Sequence, residues 1–447
     1  MLERQLHILF CIREIFSDRN NSRDSSRSSS FKYVLPIRIE NWVAQMSMRI
    51  DELPHATSIA DITAEEQRPG SPQRKTIKFF FSLGSLRTQR VRGALFGLVA
   101  TGSAVNSPVY KMATIYSWIL DSGGAGRGAW QGGVIYEFMR WCRENGTFPS
   151  ITMGASAGGY AAADVATGTE RTVMKGWTYW GTQAARSHIA REKSQFRAHL
   201  HNSIHYVMEE KELAGVFQEN RSRKLLVFTT RARRCDLKQF GSVDRLRLFV
   251  KSATRKLPKA LKYLPQSYRE DPVIFALNLP AELCSEFVRP LTRRNYHAVI
   301  EASCLVPLAM GSPLLPEDLS QEQHADDHQS VFIDGGYALK MPMRLFEEDP
   351  HFRSLANWAS ADKTIIFCCD PKGWLWETSA RLRCLNTLPS VIRAIDENRL
   401  LIVSPDHSVE AGFLCMDHAT TMRTFHRGRE QAEHLLRSER VRRFFDI

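Results

Sequence analysis

Ile151-Thr-Met-Gly-Ala-Ser-Ala-Gly-Gly159 is an apolar run, a serine and a string of small residues, continued by Tyr160, Ala161, Ala162 and Ala163. Within it, Gly154 to Gly158 forms a Gly-x-Ser-x-Gly pentad. The pattern predicts a strand, a sharp turn and a helix, with Ser156 held at the turn on a strained backbone. Glycine suits both flanks, because a β-carbon there would collide with the strand or the helix. The helix start adds backbone N–H groups and the positive end of a dipole near the serine oxygen. Alone, the pentad is equally compatible with an ordinary tight turn in a chain rich in Gly and Ala.

The flanking sequence adds to it. Ala113-Thr-Ile-Tyr-Ser-Trp-Ile-Leu120 is β-branched and aromatic, which predicts a buried strand. Asp121-Ser-Gly-Gly-Ala-Gly-Arg-Gly128 ends it, and a helix follows with Trp130, Val134, Phe138 and Trp141 on one face. The βαβα run predicts an α/β fold with a mostly parallel sheet covered by helices on both sides. Leu225–Thr230, Val273–Leu277, Val331–Asp334, Thr364–Cys369 and Leu400–Val403 read as further strands.

The bulk properties of the 447-residue chain fit one large domain with appendages. Ser17 to Ser30 is a Ser/Arg/Asn/Asp tract, so residues 1–30 read as a disordered tail. Residues 31–110 are expected to form an N-terminal extension with no assignable function, 111–410 the main α/β domain, and 411–447 a helical tail rich in Arg. Leu435, Leu436, Val441, Phe444 and Phe445 of that tail are candidates to pack back on the body. A basic insertion is expected around 231–272. Arg221 to Lys256 holds twelve Lys/Arg against two Asp, and a solvated helical face is favoured there over a lipid-facing one.

The net charge is +12, which favours an anionic partner. No zinc-ligand spacing, zipper or RNA-binding signature accompanies it, so nucleic acid is not expected. The nine cysteines form no CxxC pair and lie mostly in apolar runs. Reduced thiols in a cytoplasmic setting are expected, with no structural metal. No secretory signal is clear, and Gly93–Tyr110, preceded by Arg87, Arg90 and Arg92, is too polar to span a bilayer. A buried or loop segment is favoured there over a peripheral contact with anionic membrane.

Three glycine-rich elements stand at the ends of predicted strands: Gly123–Gly128, Gly154–Gly158 and Asp334-Gly335-Gly336. In open α/β sheets, sites form outside the carboxyl ends of the strands, so the three turns are expected to converge. In this order the set resembles the patatin-like phospholipase family. The resemblance spans about Ala113 to Pro342 and includes Glu301-Ala-Ser-Cys-Leu-Val-Pro307, similar to the family's Ala- and Ser-rich segment that ends in Pro. It implies a three-layer α/β/α fold and hydrolysis of phospholipid or another acyl lipid through an acyl-enzyme. It also implies Ser156 as nucleophile and Asp334 as its general base. Backbone N–H groups of Gly124, Ala125, Gly126, Arg127 and Gly128 would form the oxyanion hole. No metal or cofactor is implied.

One departure stands out. The family loop reads Gly-Gly-Gly-x-Arg-Gly, and here Ala125 takes the third position. A positive φ there would be costly for Ala. Two other readings compete. One is a Ser–Asp–His hydrolase drawing on His351, His407, His418, His426 or His434. The other is a lipid-binding scaffold that kept the fold without the activity.

Overall fold

The computed structural model describes residues 114–180, 193–218, 222–234, 268–306, 313–319, 330–379, 383–412, 415 and 417–447. The expected tail, the N-terminal extension with Gly93–Tyr110, and residues 235–267 of the basic insertion lie outside them.

β1 (Tyr116–Leu120), α1 (Gly124–Glu144), β2 (Ile151–Ala155) and α2 (Ala157–Thr167) come first. α3 (Glu170–Tyr179), α4 (Lys193–Val207) and α5 (Glu210–Val216) follow, then β3 (Lys224–Arg234) and β4 (Tyr268–Ala276). Next are β5 (Val288–Pro290), α6 (Tyr296–Cys304), α7 (Pro316–Leu319) and β6 (Ser330–Asp334). α8 (Met343–Glu348), α9 (Pro350–Trp358), β7 (Lys363–Phe367), α10 (Pro389–Asp396) and β8 (Leu400–Val403) lead to α11 (His418–Leu436) and α12 (Glu439–Phe445).

β1 and β2 are buried along their whole length, as near-continuous apolar strands in a covered parallel sheet must be. Their alternate side chains supply two cores. Trp118, Phe138, Val165 and Phe367 pack on the α1/α2 side. Ile119, Met153, Phe228 and Ile366 pack on the side of α8 and α9. The result is the expected three-layer α/β/α arrangement.

The predicted face of α1 is in the first core, with Trp130, Val134 and Phe138 buried and Trp141 packed against them. Its partner is α11. Trp130 Nε1 donates to Gln431 Oε1 at 3.0 Å, and the buried Glu137 accepts from Arg429 Nε at 2.7 Å. Leu436, Val441, Phe444 and Phe445 are buried, so residues 417–447 complete the first core.

The sheet runs β5-β4-β3-β2-β1-β7-β8, and β6 also pairs with β3. β3 is longer than its apolar segment suggests. It continues through Arg231 and Arg233, which makes the first part of the basic stretch a buried strand and not a solvated helix. Arg231 is fully buried, 2.9 Å from Glu286, with its guanidinium over the Phe287 ring. Arg233 pairs with Asp271 of β4 at 2.6 Å. The insertion therefore starts after Arg234 and ends before Tyr268.

Beyond Ala155 the neighbour of β3 changes. β2 runs parallel to β3 and stops where Ala155 faces Phe228. The next residue of β3, Thr229, faces Asp334 of the antiparallel β6. β2 and β6 therefore meet end to end along one edge of β3, carboxyl end against carboxyl end.

Candidate active site

That junction brings together two residues 178 positions apart (334 − 156). Ser156 follows the last residue of β2 and Asp334 is the last residue of β6. Both are buried, each 3% exposed. The convergence predicted for parallel strands thus arises instead from two opposed ones.

Ser156 sits at φ 56°, ψ −132°. For a non-glycine residue such a conformation costs about 1–3 kcal/mol, so its surroundings must enforce it. A β-carbon on Gly154 would lie 2.4 Å from the Gly158 carbonyl oxygen, and one on Gly158 would lie 2.2 Å from that of Leu120. Both glycines are required for β1, β2 and α2 to close on the serine.

Ser303 completes the enforcement. Its Oγ accepts the Ser156 N–H at 2.9 Å and donates to the Phe228 carbonyl of β3 at 2.7 Å. Its own carbonyl accepts the Gly335 N–H at 3.0 Å, and Cys304 Sγ donates to the Ser156 carbonyl at 3.2 Å. One buried residue at the end of α6 therefore ties the serine turn and the Asp-Gly-Gly turn to β3.

Asp334 Oδ1 accepts the Gly336 N–H at 2.8 Å, while Oδ2 is buried without a hydrogen-bond partner. Burial pushes the carboxyl pKa up to about 6, against the opposing pull of the Ser156 hydroxyl and the Gly336 N–H. The hydroxyl is near enough to lower that pKa, yet the pair falls outside hydrogen-bond geometry. Such pairs often tighten only when substrate binds. No histidine among the described residues contributes to the Asp334 shift.

The loop expected to face the serine is largely a helix start. α1 begins at Gly124, which takes the positive φ of 66°. Ala125 is the second residue of the helix, one position past the glycine that takes the positive φ. Helical i→i−4 bonding uses the Arg127 and Gly128 N–H groups and leaves those of Gly124, Ala125 and Gly126 without helical acceptors. The start of α1 has no side-chain cap and no acidic residue in its first turn, and the same holds for α2. A β-carbon on Gly128 would be 3.0 Å from that of Ala157, so the two helix N-termini adjoin beside Ser156.

A buried ion pair links this loop to the Asp334 turn. Lys340 Nζ is 3.2 Å from Oδ1 of Asp121, the residue after β1, and the other Asp121 oxygen accepts the Cys369 N–H at 3.2 Å. Burial alone would lower the Lys340 pKa; the Asp121 carboxylate beside it reverses that and raises it.

A family model described as patatin-like phospholipase matches residues 119–346, just over half of the chain. The chain belongs to the patatin-like phospholipase family. Its activity class, hydrolysis of lipid acyl esters, comes with the match. A comparison with curated proteins finds no match. The patatin-like region runs from β1 to α8 and contains Ser156, Ser303, Asp334, Asp121 and Lys340. β7, β8 and α11, which complete the sheet and the first core, follow it. Among the described residues no helix is long and apolar enough to cross a membrane.

Ser303 was legible as part of the Ala- and Ser-containing helix before Pro307, though not as the residue that holds Ser156. The Asp121–Lys340 pair leaves no such trace. Of the histidines considered for a triad, His418, His426 and His434 fall on α11 and His351 on α9.

Proposed function

We propose that the protein hydrolyses lipid acyl esters with a Ser156–Asp334 dyad. The observation that carries this reading is the end-to-end meeting of β2 and β6 on β3, which sets the strained serine beside a buried carboxyl with a pKa of about 6. A base tuned near the working pH is what general-base catalysis requires. Ser156 Oγ attacks the ester carbonyl and passes its proton to Asp334. The tetrahedral oxyanion rests on the N–H groups of Gly124, Ala125 and Gly126, reinforced by the two helix dipoles. Collapse expels the alcohol, which takes the proton back, and leaves an acyl-serine. Water then attacks the acyl group, Asp334 accepts its proton, and the fatty acid leaves as Ser156 is reprotonated. Arg127 and Gly128 have no donor role here, because their N–H groups lie inside α1.

A fluorophosphonate probe tests the reading, together with turnover of phospholipid, lysophospholipid and neutral lipid. Wild type is expected to be labelled at Ser156 and to hydrolyse at least one of these classes. Ser156→Ala should lose the label and essentially all turnover. Equal labelling and turnover in both proteins would end the proposal.

Ser303→Ala extends the test to the support. It strips the buried Ser156 N–H and the Phe228 carbonyl of their partner, at about 1–3 kcal/mol. We expect kcat to fall about 10–100-fold with KM little changed, because the loss falls on the geometry of attack and not on lipid binding. Unchanged kcat would show that Ser156 does not depend on this clamp.

A further inference from the structure

We propose that a strap at residues 409–412, tethered through Glu410, holds the first turn of α1 in place for catalysis. Glu410 and Gly412 are then positioning residues, an inference that rests on the oxyanion hole proposed above. The contact behind it is between backbones. A β-carbon on Gly126 would lie 1.8 Å from the Gly412 carbonyl oxygen and 3.0 Å from the Ala411 carbonyl carbon. Nothing bulkier than glycine fits there, and Gly126 supplies one of the three N–H groups assigned to the oxyanion. The strap itself lies beyond residue 346, where the patatin-like region ends.

The strap joins β8 to α11 and is fastened from both sides. Inside, Ala411 is fully buried and Val409 packs against the first core. Outside, the Glu410 carboxylate faces two arginines of α11. Arg423 Nη2 is 2.6 Å from Oε1, and Arg427 Nη1 is 3.3 Å from Oε2. Arg423 Nη2 also donates to Thr420 Oγ1 at 3.0 Å, and Asp417 caps the same turn by accepting the Thr420 N–H at 2.7 Å. The anchor for the tether is firm, because α11 is pressed onto α1 backbone to backbone. A β-carbon on Gly133 would lie 2.0 Å from the Phe425 carbonyl oxygen, and one on Gly428 would lie 2.1 Å from that of Trp130. Gly126, Trp130 and Gly133, at spacings of four and three, share one face of α1. Strap and α11 therefore grip a single face of α1, from its first turn to its middle.

The first turn is the part of a helix most in need of such a grip. Its N–H groups have no helical acceptors, and helix ends fray. Donors to an oxyanion must be fixed in advance of the reaction. A misplacement of about 1 Å in a catalytic constellation costs about 10²-fold in rate. The Gly412 carbonyl, which also accepts the Cys415 N–H at 3.0 Å, rests on Gly126 and blocks movement of the turn toward the strap. Gly412 is exposed, and a β-carbon there would meet nothing within 4 Å. The side of the strap away from α1 is therefore open, and the Glu410 tether is what keeps it from lifting.

Full-length wild type, Glu410→Ala and Glu410→Gln are compared on a soluble short-chain ester, with a fluorophosphonate probe and by hydrogen exchange. In Glu410→Ala, kcat and the rate of labelling should fall about tenfold, with KM and melting temperature little changed. Amides in the first turn of α1 should exchange about tenfold faster, while those of β2 keep their protection. Glu410→Gln, which keeps one acceptor oxygen, should fall between the two. The three charged groups are exposed, so about 1 M salt should bring wild-type kcat toward that of Glu410→Ala and barely move the variant. Unchanged kcat or unchanged exchange in Glu410→Ala would overturn the proposal. So would a fall in melting temperature large enough to account for the lost activity, which would make the tether a support for the whole fold. A rise in kcat would also overturn it, by making the strap a cover over the site. If wild type takes no label and turns over no ester, yet first-turn exchange responds to Glu410→Ala, the contact stands and the hydrolase reading fails.

Discussion

Asp334→Asn is expected to lower turnover about 10³–10⁴-fold while making the folded protein more stable. Both effects come from one property. The Asp334 carboxyl has a folded pKa of about 6 against an ordinary value of 3.8, chiefly because it is buried. Between those values the native state binds more protons than the unfolded chain. The stability contributed by burying the neutral acid is therefore complete below about pH 4 and lost as pH rises through 6. Above that, the buried carboxylate costs on the order of 3 kcal/mol, from two pKa units at 1.36 kcal/mol each. Asparagine keeps an oxygen for the Gly336 N–H and carries no charge, so it removes the cost and the base together. Thermal denaturation should show wild type and Asp334→Asn melting alike near pH 4, with the variant gaining as pH rises through 6. Wild-type kcat/KM should climb about tenfold per unit below pH 6 and level off above it, and this limb should vanish in the variant. A variant less stable than wild type at pH 7.5, or a wild-type profile flat between pH 5 and 7, would remove Asp334 as the general base.

The trade-off clarifies which features of the site local sequence can signal. The serine turn was legible because its constraints are local: Gly154 and Gly158 meet structure within a few residues of them or at the end of the adjacent strand. The parallel sheet was legible for the same reason, from short apolar runs separated by helical patterns. The direction of β6 was not. Its five residues, Ser330–Asp334, carry no sign of orientation. Orientation is decided at a distance, where the turn at Ser156 stops β2 and leaves the edge of β3 from Thr229 onward to be paired.

The oxyanion loop failed in a different way. A string of glycines does not reveal which residue starts the helix, and a shift of one position decides whether the positive φ falls on Ala125 or on Gly124. With it on Gly124, the sequence departure that favoured an inactive scaffold loses its force. Arg231 misled through charge. Counting Lys and Arg along the stretch suggests a solvated face, but strand periodicity turns Arg231 inward to Glu286 and Phe287. A count of charges ignores the carboxylates that meet them from β4 and the segment before β5.

Lys340→Met is the prediction that probes the least legible part of the site. Asp121 is 1% exposed, and Lys340 is its only ion-pair partner among the described residues. Removing the lysine leaves a buried carboxylate held by the Cys369 backbone N–H and a long contact from the Cys368 thiol, with no cation beside it. Breaking a buried pair from one side typically costs about 3–5 kcal/mol. The cost should depend on pH with a definite sign. Without Lys340, the folded Asp121 pKa lies well above its unfolded value, so the native state takes up the extra proton. The deficit should be largest at neutral pH and shrink as the medium is acidified toward pH 5. Asp121→Asn combined with Lys340→Met removes the stranded charge and should recover much of the loss. Denaturant titrations of wild type, both single variants and the double variant at pH 5 and 7.5 provide the cycle. A deficit under about 1 kcal/mol, or one insensitive to pH, would mean the pair is not the buried link it forms between β1 and the Asp334 turn. The same link predicts a kinetic consequence. Asp121 stands two residues before Gly123 and Lys340 six after Asp334, so the variant should lose kcat even where it remains fully folded. Its loop and its base are no longer held to each other.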